Sequence, residues 1–507
     1  MTDAPRLFEQ VCDHARETAV LGSIEALCEW DERTYMPAAA GSYRADQITL
    51  LAGMLHDRHT DPQLGEWLEQ LVGSELTADP HSDTATTIRE MRREFEKRAK
   101  LPKRLVEELA RAAVLGQQSW QAARAADDFA AFAPQLEQIV RLKREEAQTL
   151  AMGDCLYDGL LDDFEPHEKT VDVTRVLGEL RDDLALLVAE IAASGRAPNR
   201  DILARDYPID DQRRLGRQAA AAIGFDFGRG RLDDTTHPFC TGLGPDDCRL
   251  TTRYRTDDMA DSLFSTLHEA GHGIYDQGLR SEWYGLPPGS AVSLGIHESQ
   301  SRMWENFVGR SRAFWQHFFP QAQEIFPAQL GDVTLDEFYW AVNDVRPTLI
   351  RTESDEATYN LHIIVRFELE QALLEGDLQV SELPAAWNEK YQTLLGITPP
   401  NDTLGVLQDI HWSGGAIGYF PTYSLGNLYA AQLFAAADRA LGGLDEMFAR
   451  GEFLPLKTWL NENIHASGQC RSAAELAEHL TGEPLSHRHL IKHLRAKLGP
   501  LYGVAAG

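Results

Sequence analysis

Apolar residues recur three and four positions apart in segment after segment of this chain, a period that makes helices with one face buried against their neighbours. The stretches FAAFAPQLEQIVRLKREEAQTLAM, VTRVLGELRDDLALLVAEIAAS and ESDEATYNLHIIVRFELEQALLEG each hold that spacing for several turns. Proline and glycine punctuate them, as in GLPPGS, ITPP and TGLGPDD. No repeat of fixed period and no low-complexity linker divides the 507 residues, so one large, mainly α domain over 1–507 is expected. Only DDCRLTTRYRTDD reads as a short strand, and an exposed strand edge at that place can hold an extended peptide.

Charge narrows the partners. The 78 acidic against 48 basic residues leave a formal charge of -30, which repels a phosphate backbone and disfavours nucleic acid. The one basic stretch, SHRHLIKHLRAKLG, has helical spacing and reads as the solvated face of a last helix. No run of roughly 18 apolar residues is present to span a membrane. The opening MTDAPRLFEQVCDHARE lacks a basic segment followed by an apolar one, which makes a cytoplasmic protein the expectation. The six cysteines have no framework spacing and read as reduced thiols. Cys240 and Cys248 have His237 nearby, but with no CxxC they fall short of a metal-site pattern.

The stretch TLHEAGHGIYDQG, residues 266–278, carries the chemistry. Four residues on a helix turn through about 400° and rise about 6 Å, so His268 and His272 leave one face a turn apart and can reach one small cation. Zinc suits such a pair when a third ligand leaves one position open for water, and Glu269 then stands beside that position as general base. Asp257 is the expected N-terminal cap of this helix, and the small Ala270 and Gly271 let another element pack closely over the metal face. With 17 histidines in the chain the motif alone is not decisive. A third ligand is needed. The extended HExxHxxGxxH pattern is absent, since Tyr275 and Gly278 stand at its last two positions. A glutamate from a second helix is the other solution, and SLGIHESQSRMWENFVGR offers Glu298 and Glu305 seven residues apart, with Glu298 preferred.

Beyond HEAGH, several short signatures occur in one order: LGSIEALCEWDERTYMP near the start, HPF at 237–239, DCRLT at 247–251, HESQ at 297–300, IRTESD at 350–355 and GVLQDIHW at 405–412. Over nearly its whole length the chain resembles the M32 metallocarboxypeptidases, the carboxypeptidase Taq family. Ser354 departs from the family's usual alanine, a change of one small residue for another. The resemblance implies a helical fold of two lobes flanking a deep active-site cleft with a small β element, an HExxH metallopeptidase of neurolysin-like architecture, usually a homodimer. It also implies His268, His272 and Glu298 as metal ligands, Glu269 as base, zinc as the metal with cobalt able to substitute, and removal of C-terminal residues with broad preference.

Such a reaction needs donors for the developing oxyanion and a partner for the substrate's free carboxylate. Tyr419 and Tyr423, in GGAIGYFPTYSLGN, are expected as phenol donors, with packing as their alternative role. Arg351 is the first choice for the carboxylate and Arg249 the second; the alternative for each is an internal ion pair, Arg351 with Asp355 or Arg249 with Asp247. His237, His297 and His411 are candidates to orient a ligand or the oxyanion. Two other readings remain at this level. One is an oligoendopeptidase, which tolerates an amidated C-terminus, and the other is a helical binding protein whose metal is structural.

Overall fold

The computed structural model describes residues 4–505. Helices dominate, beginning with the long α1 (Ala4–Thr34). The first two periodic stretches form helices at Phe129–Leu150 and Thr170–Ala193. Their buried positions, among them Leu136, Ile139, Val140, Leu177, Leu180 and Leu184, follow the three-and-four spacing. One continuous apolar core runs from Ala123 to Tyr502, with Trp304, Trp315 and Trp387 fully buried in it. Among the described residues no helix is long and apolar enough to cross a membrane.

The extended element is a three-stranded sheet of β1 (Gly230–Asp234), β2 (Cys240–Gly244) and β3 (Asp247–Thr252), in the order β1-β3-β2. β3 is the strand expected from sequence, but it is central: β1 pairs with it in parallel and β2 antiparallel. It therefore has no free edge for a peptide, and the sheet's edges are β1 and β2. The turn after β3 leads into helix α2 (Met259–Gly278), which carries HEAGH. α3 (Leu294–Arg302) returns across it and passes into a π-helical turn at Met303–Gly309.

The third periodic stretch starts later than its spacing suggests, as α4 (Tyr359–Glu375). The delay comes from Asp355, whose carboxylate accepts hydrogen bonds from the backbone N–H groups of Ala357 and Thr358 and holds a turn ahead of the helix. α5 (Pro421–Leu441) packs on α3 and is buried along most of its length. The basic stretch does form the last helix, α6 (Arg488–Tyr502), but its charges are not all solvated. Lys497 is buried and donates to the Asn306 carbonyl and to Glu356, each at 2.7 Å, while His493 faces the other Glu356 oxygen at 3.0 Å. A buried acid on a neighbouring element has drawn them inward.

Candidate active site

α2 starts one residue later than expected. Asp258 caps it, accepting from the Asp261 N–H at 3.1 Å, while Asp257 pairs with Arg255 at the surface. The helix is buried on almost every side, which is why its sequence shows apolar and small residues around most of its circumference. His268 and His272 stand with ring centroids 4.9 Å apart. α3 brings Glu298 against them, its Oε2 lying 3.6 Å from His268 Nε2 and 3.4 Å from His272 Nε2. One ligand atom from each of the three falls within 4.8 Å of the others.

Two glycines make this approach possible. A Cβ on Gly271 would sit 2.6 Å from the Ser301 Cα and 2.7 Å from the Gln300 carbonyl, so α2 and α3 touch backbone to backbone at the motif. A Cβ on Gly426 of α5 would meet Glu298 Cγ at 2.5 Å, so the glutamate is clamped from its far side as well. Two imidazoles and a carboxylate held in this way are a donor set that fits one small divalent cation.

Glu305 is not in the trio. The wider π turn carries it to the opposite edge of His268, where its Oε2 accepts from Nδ1 at 2.9 Å. This leaves His268 Nε2 facing Glu298, the arrangement that orients a metal-binding imidazole. His272 is oriented by a longer chain. Its Nδ1 lies 2.5 Å from Nδ1 of His297, whose Nε2 lies 3.0 Å from Asp276 Oδ1. If His272 presents a bare Nε2, its Nδ1–H donates to His297, and His297 Nε2–H donates to Asp276. Asp276 lies one turn beyond His272 on the same helix, a spacing that is the only sequence signal for it.

The field around these groups is strong. Burial raises the Glu298 pKa, but Arg302, His268 and His272 overcome it and hold the carboxylate well below its usual range. Arg302 Nε donates to Glu298 Oε1 at 2.7 Å. Burial pushes Glu269 up to about 7, against the lowering pull of His268. Burial, aided by the neighbouring His297, takes His272 down to about 4.

Beyond the trio lies a second cluster. Arg351 is buried, with Nε and Nη2 on Asp409 Oδ1 at 3.1 and 2.9 Å and Nη1 on the Tyr359 hydroxyl at 3.1 Å. Its ion-pair partner is thus Asp409, shared with Arg366, and not Asp355, which is occupied with its own turn. The Arg351 guanidinium lies 5.1 Å from the Tyr423 ring centre, Tyr423 packs at 5.3 Å edge-on to Tyr419, and His411 stacks on Tyr419 at 5.4 Å. Burial dominates His411 and lowers it to about 4, against the pull of Asp409 at 3.8 Å. The sheet side holds the remaining residues. Arg249, on β3, forms a two-pronged pair with Asp247 at 2.9 and 3.0 Å and lies 4.2 Å from the Trp30 ring centre. His237 is exposed in the turn between β1 and β2.

The helical fold and the paired histidines with a carboxylate from the next helix are those of a mainly helical metallopeptidase. The family model for carboxypeptidase Taq (M32) metallopeptidase matches residues 10–498, and the chain belongs to that family of metallocarboxypeptidases. Thermostable carboxypeptidase 1 of Thermus thermophilus is 48% identical over 505 residues, covering 98% of this chain and 99% of the relative. Carboxypeptidase 1 of Bacillus subtilis is 38% identical over 477 residues, 94% of this chain and 95% of the relative. The crystal structure of the M32 carboxypeptidase from Deinococcus radiodurans superposes with a TM-score of 0.95 at 42% identity, covering 98% of this chain and all (100%) of that one.

Proposed function

We propose that this metallocarboxypeptidase works with zinc held by His268, His272 and Glu298, with Glu269 as general base, on peptides that end in a free carboxylate. The observation that carries the reading is the convergence of the three ligand atoms within 4.8 Å, two of them on the helix that presents Glu269 between the histidines and the third on α3. Zinc bound there supplies Lewis acidity to the scissile carbonyl and to the attacking water.

The protein's own groups do the rest. Glu269, between the two histidines, is placed to accept a proton from water and to return it to the leaving amine. The hydroxyls of Tyr419 and Tyr423 donate to the oxygen that gains negative charge. Arg351 receives the substrate carboxylate. Three of its five N–H groups are fixed by Asp409 and Tyr359, which leaves two for the ligand on a side chain that cannot swing away. Arg249, already forked onto Asp247, is the second contact. A homodimer fits the exposed Val20, Ile24 and Leu27 of α1 and Leu50 and Met54 of the helix at Gly41–His59, apolar side chains that a second copy would cover.

The test follows one peptide by mass spectrometry in two forms, free acid and C-terminal amide. A ladder of single-residue losses from the free acid alone is expected, and Arg351→Ala should slow it mainly through KM. Internal cuts in both forms would reject the exopeptidase reading, and an unchanged KM would reject Arg351 as the anchor.

A further inference from the structure

Cys240 and Cys248 lack the CxxC spacing that marks a metal site within one loop, yet the sheet brings them together. In the β2–β3 pairing Cys240 faces Leu250 and Gly242 faces Cys248, so the cysteines are diagonal neighbours on adjacent strands. Their sulfurs lie 3.6 Å apart. A third group arrives from α2, where Asp276 Oδ2 stands 4.0 Å from Cys240 Sγ. Gly242, between the cysteines, gives that carboxylate room: a Cβ there would lie 3.2 Å from Asp276 Oδ2. The three ligand atoms fall within 4.8 Å of one another.

The spacing distinguishes two uses of a cysteine pair. Bonded sulfurs sit about 2.05 Å apart. Two thiolates sharing a tetrahedral zinc-like ion, with bonds of about 2.3 Å, sit about 3.8 Å apart. The observed 3.6 Å is far too long for a bond and close to the second value, and the carboxylate that accepts from the Cys240 thiol converges on the same point. We propose that Cys240, Cys248 and Asp276 form a second metal site, for a thiophilic divalent cation of the zinc and cadmium type.

Binding there releases the two thiol protons to solvent and sets two thiolates and one carboxylate around the ion. Asp276 is then shared. Its Oδ2 faces the new site while Oδ1 accepts from His297, whose other nitrogen faces His272. The second site therefore touches the group that orients one of the proposed catalytic ligands. The second site does not depend on which metal the catalytic ligands hold, because its readout is sulfur ligation.

The reduced, metal-stripped full chain should be titrated with Cd2+ while ultraviolet absorption and bound metal are followed. A second equivalent accompanied by a sulfur-to-cadmium charge-transfer band is expected. The C240S/C248S variant should lose that equivalent and the band while still cleaving free-acid peptides in the zinc form. On the wild-type chain, Cd2+ should protect Cys240 and Cys248 from alkylation and leave Cys28 and Cys155 reactive, a measurement that needs no variant to fold. A wild-type chain without the band, a band that survives in C240S/C248S, or cysteines alkylated as fast with Cd2+ as without it would overturn the site. So would a Cys240–Cys248 disulfide in the chain isolated without reductant, which would make the pair a redox couple.

Discussion

Glu298 and Glu305 are the same side chain seven residues apart, yet one faces both His268 and His272 and the other supports His268 from behind. The difference lies in the backbone between them, which widens into a π turn at Met303. Nothing in WENF announces that widening, so a regular helix left both acids in contention. Arg351 was also hard to read. Its partner Asp409 lies 58 residues on, whereas the nearer Asp355 was the natural choice until its carboxylate was found capping a turn. Glu269→Gln keeps the shape and removes the base, so metal content should be unchanged while kcat falls on the order of 10²–10⁴-fold; metal analysis beside steady-state kinetics checks both. Glu165 gives a prediction independent of the reaction. Burial pushes its carboxyl up to about 8 from an ordinary 4.5, so between those values the folded chain holds a proton that the unfolded chain has released. Stability therefore falls as pH rises through this window, by up to about 1.4 kcal/mol per unit from this residue. Glu165→Gln should flatten that slope and raise the urea midpoint above about pH 8, while below about pH 4.5 the two proteins should differ little.

Among the elements, the helix pair α2 and α3 defines the candidate centre, and its contact is set by what Gly271 lacks. Gly271→Val would force the backbones apart at Ser301, costing about 1–3 kcal/mol as overpacking. It should also lower metal affinity while far-UV circular dichroism stays helical, so a metal titration separates it from simple unfolding. The helices were legible because their period is long and repeated, and the smallness of Ala270 and Gly271 already pointed to a close neighbour. The sheet was only partly so. β3, with Leu250 and its threonines, has strand character, but GRLDD and CTGLG have no alternation of apolar and polar residues and become strands by pairing with it. Those two partners carry no such signal, so the sequence leaves β3 an edge it does not have, and it offers Cys240 and Cys248 His237 as a third group where the fold supplies Asp276.

For the molecule as a whole, the proposed ligands come from two packed helices, α2 and α3, set against the continuous core, and their neighbours fix them: Arg302 and Ser301 on Glu298, Glu305 on His268, His297 on His272. A chelator should therefore remove the ion and leave the helical circular dichroism intact, unlike small zinc domains that unfold when stripped. Restoring zinc should raise the melting temperature by mass action, about 2.7 kcal/mol at a free concentration one hundred times Kd. Loss of helix on chelation would mean that the ion helps build the core. The backbone contact at Gly271 has a further consequence for uptake: packing, not the ion, holds α2 against α3, so loading should follow bimolecular kinetics, set by how often the metal meets the protein and sheds its water.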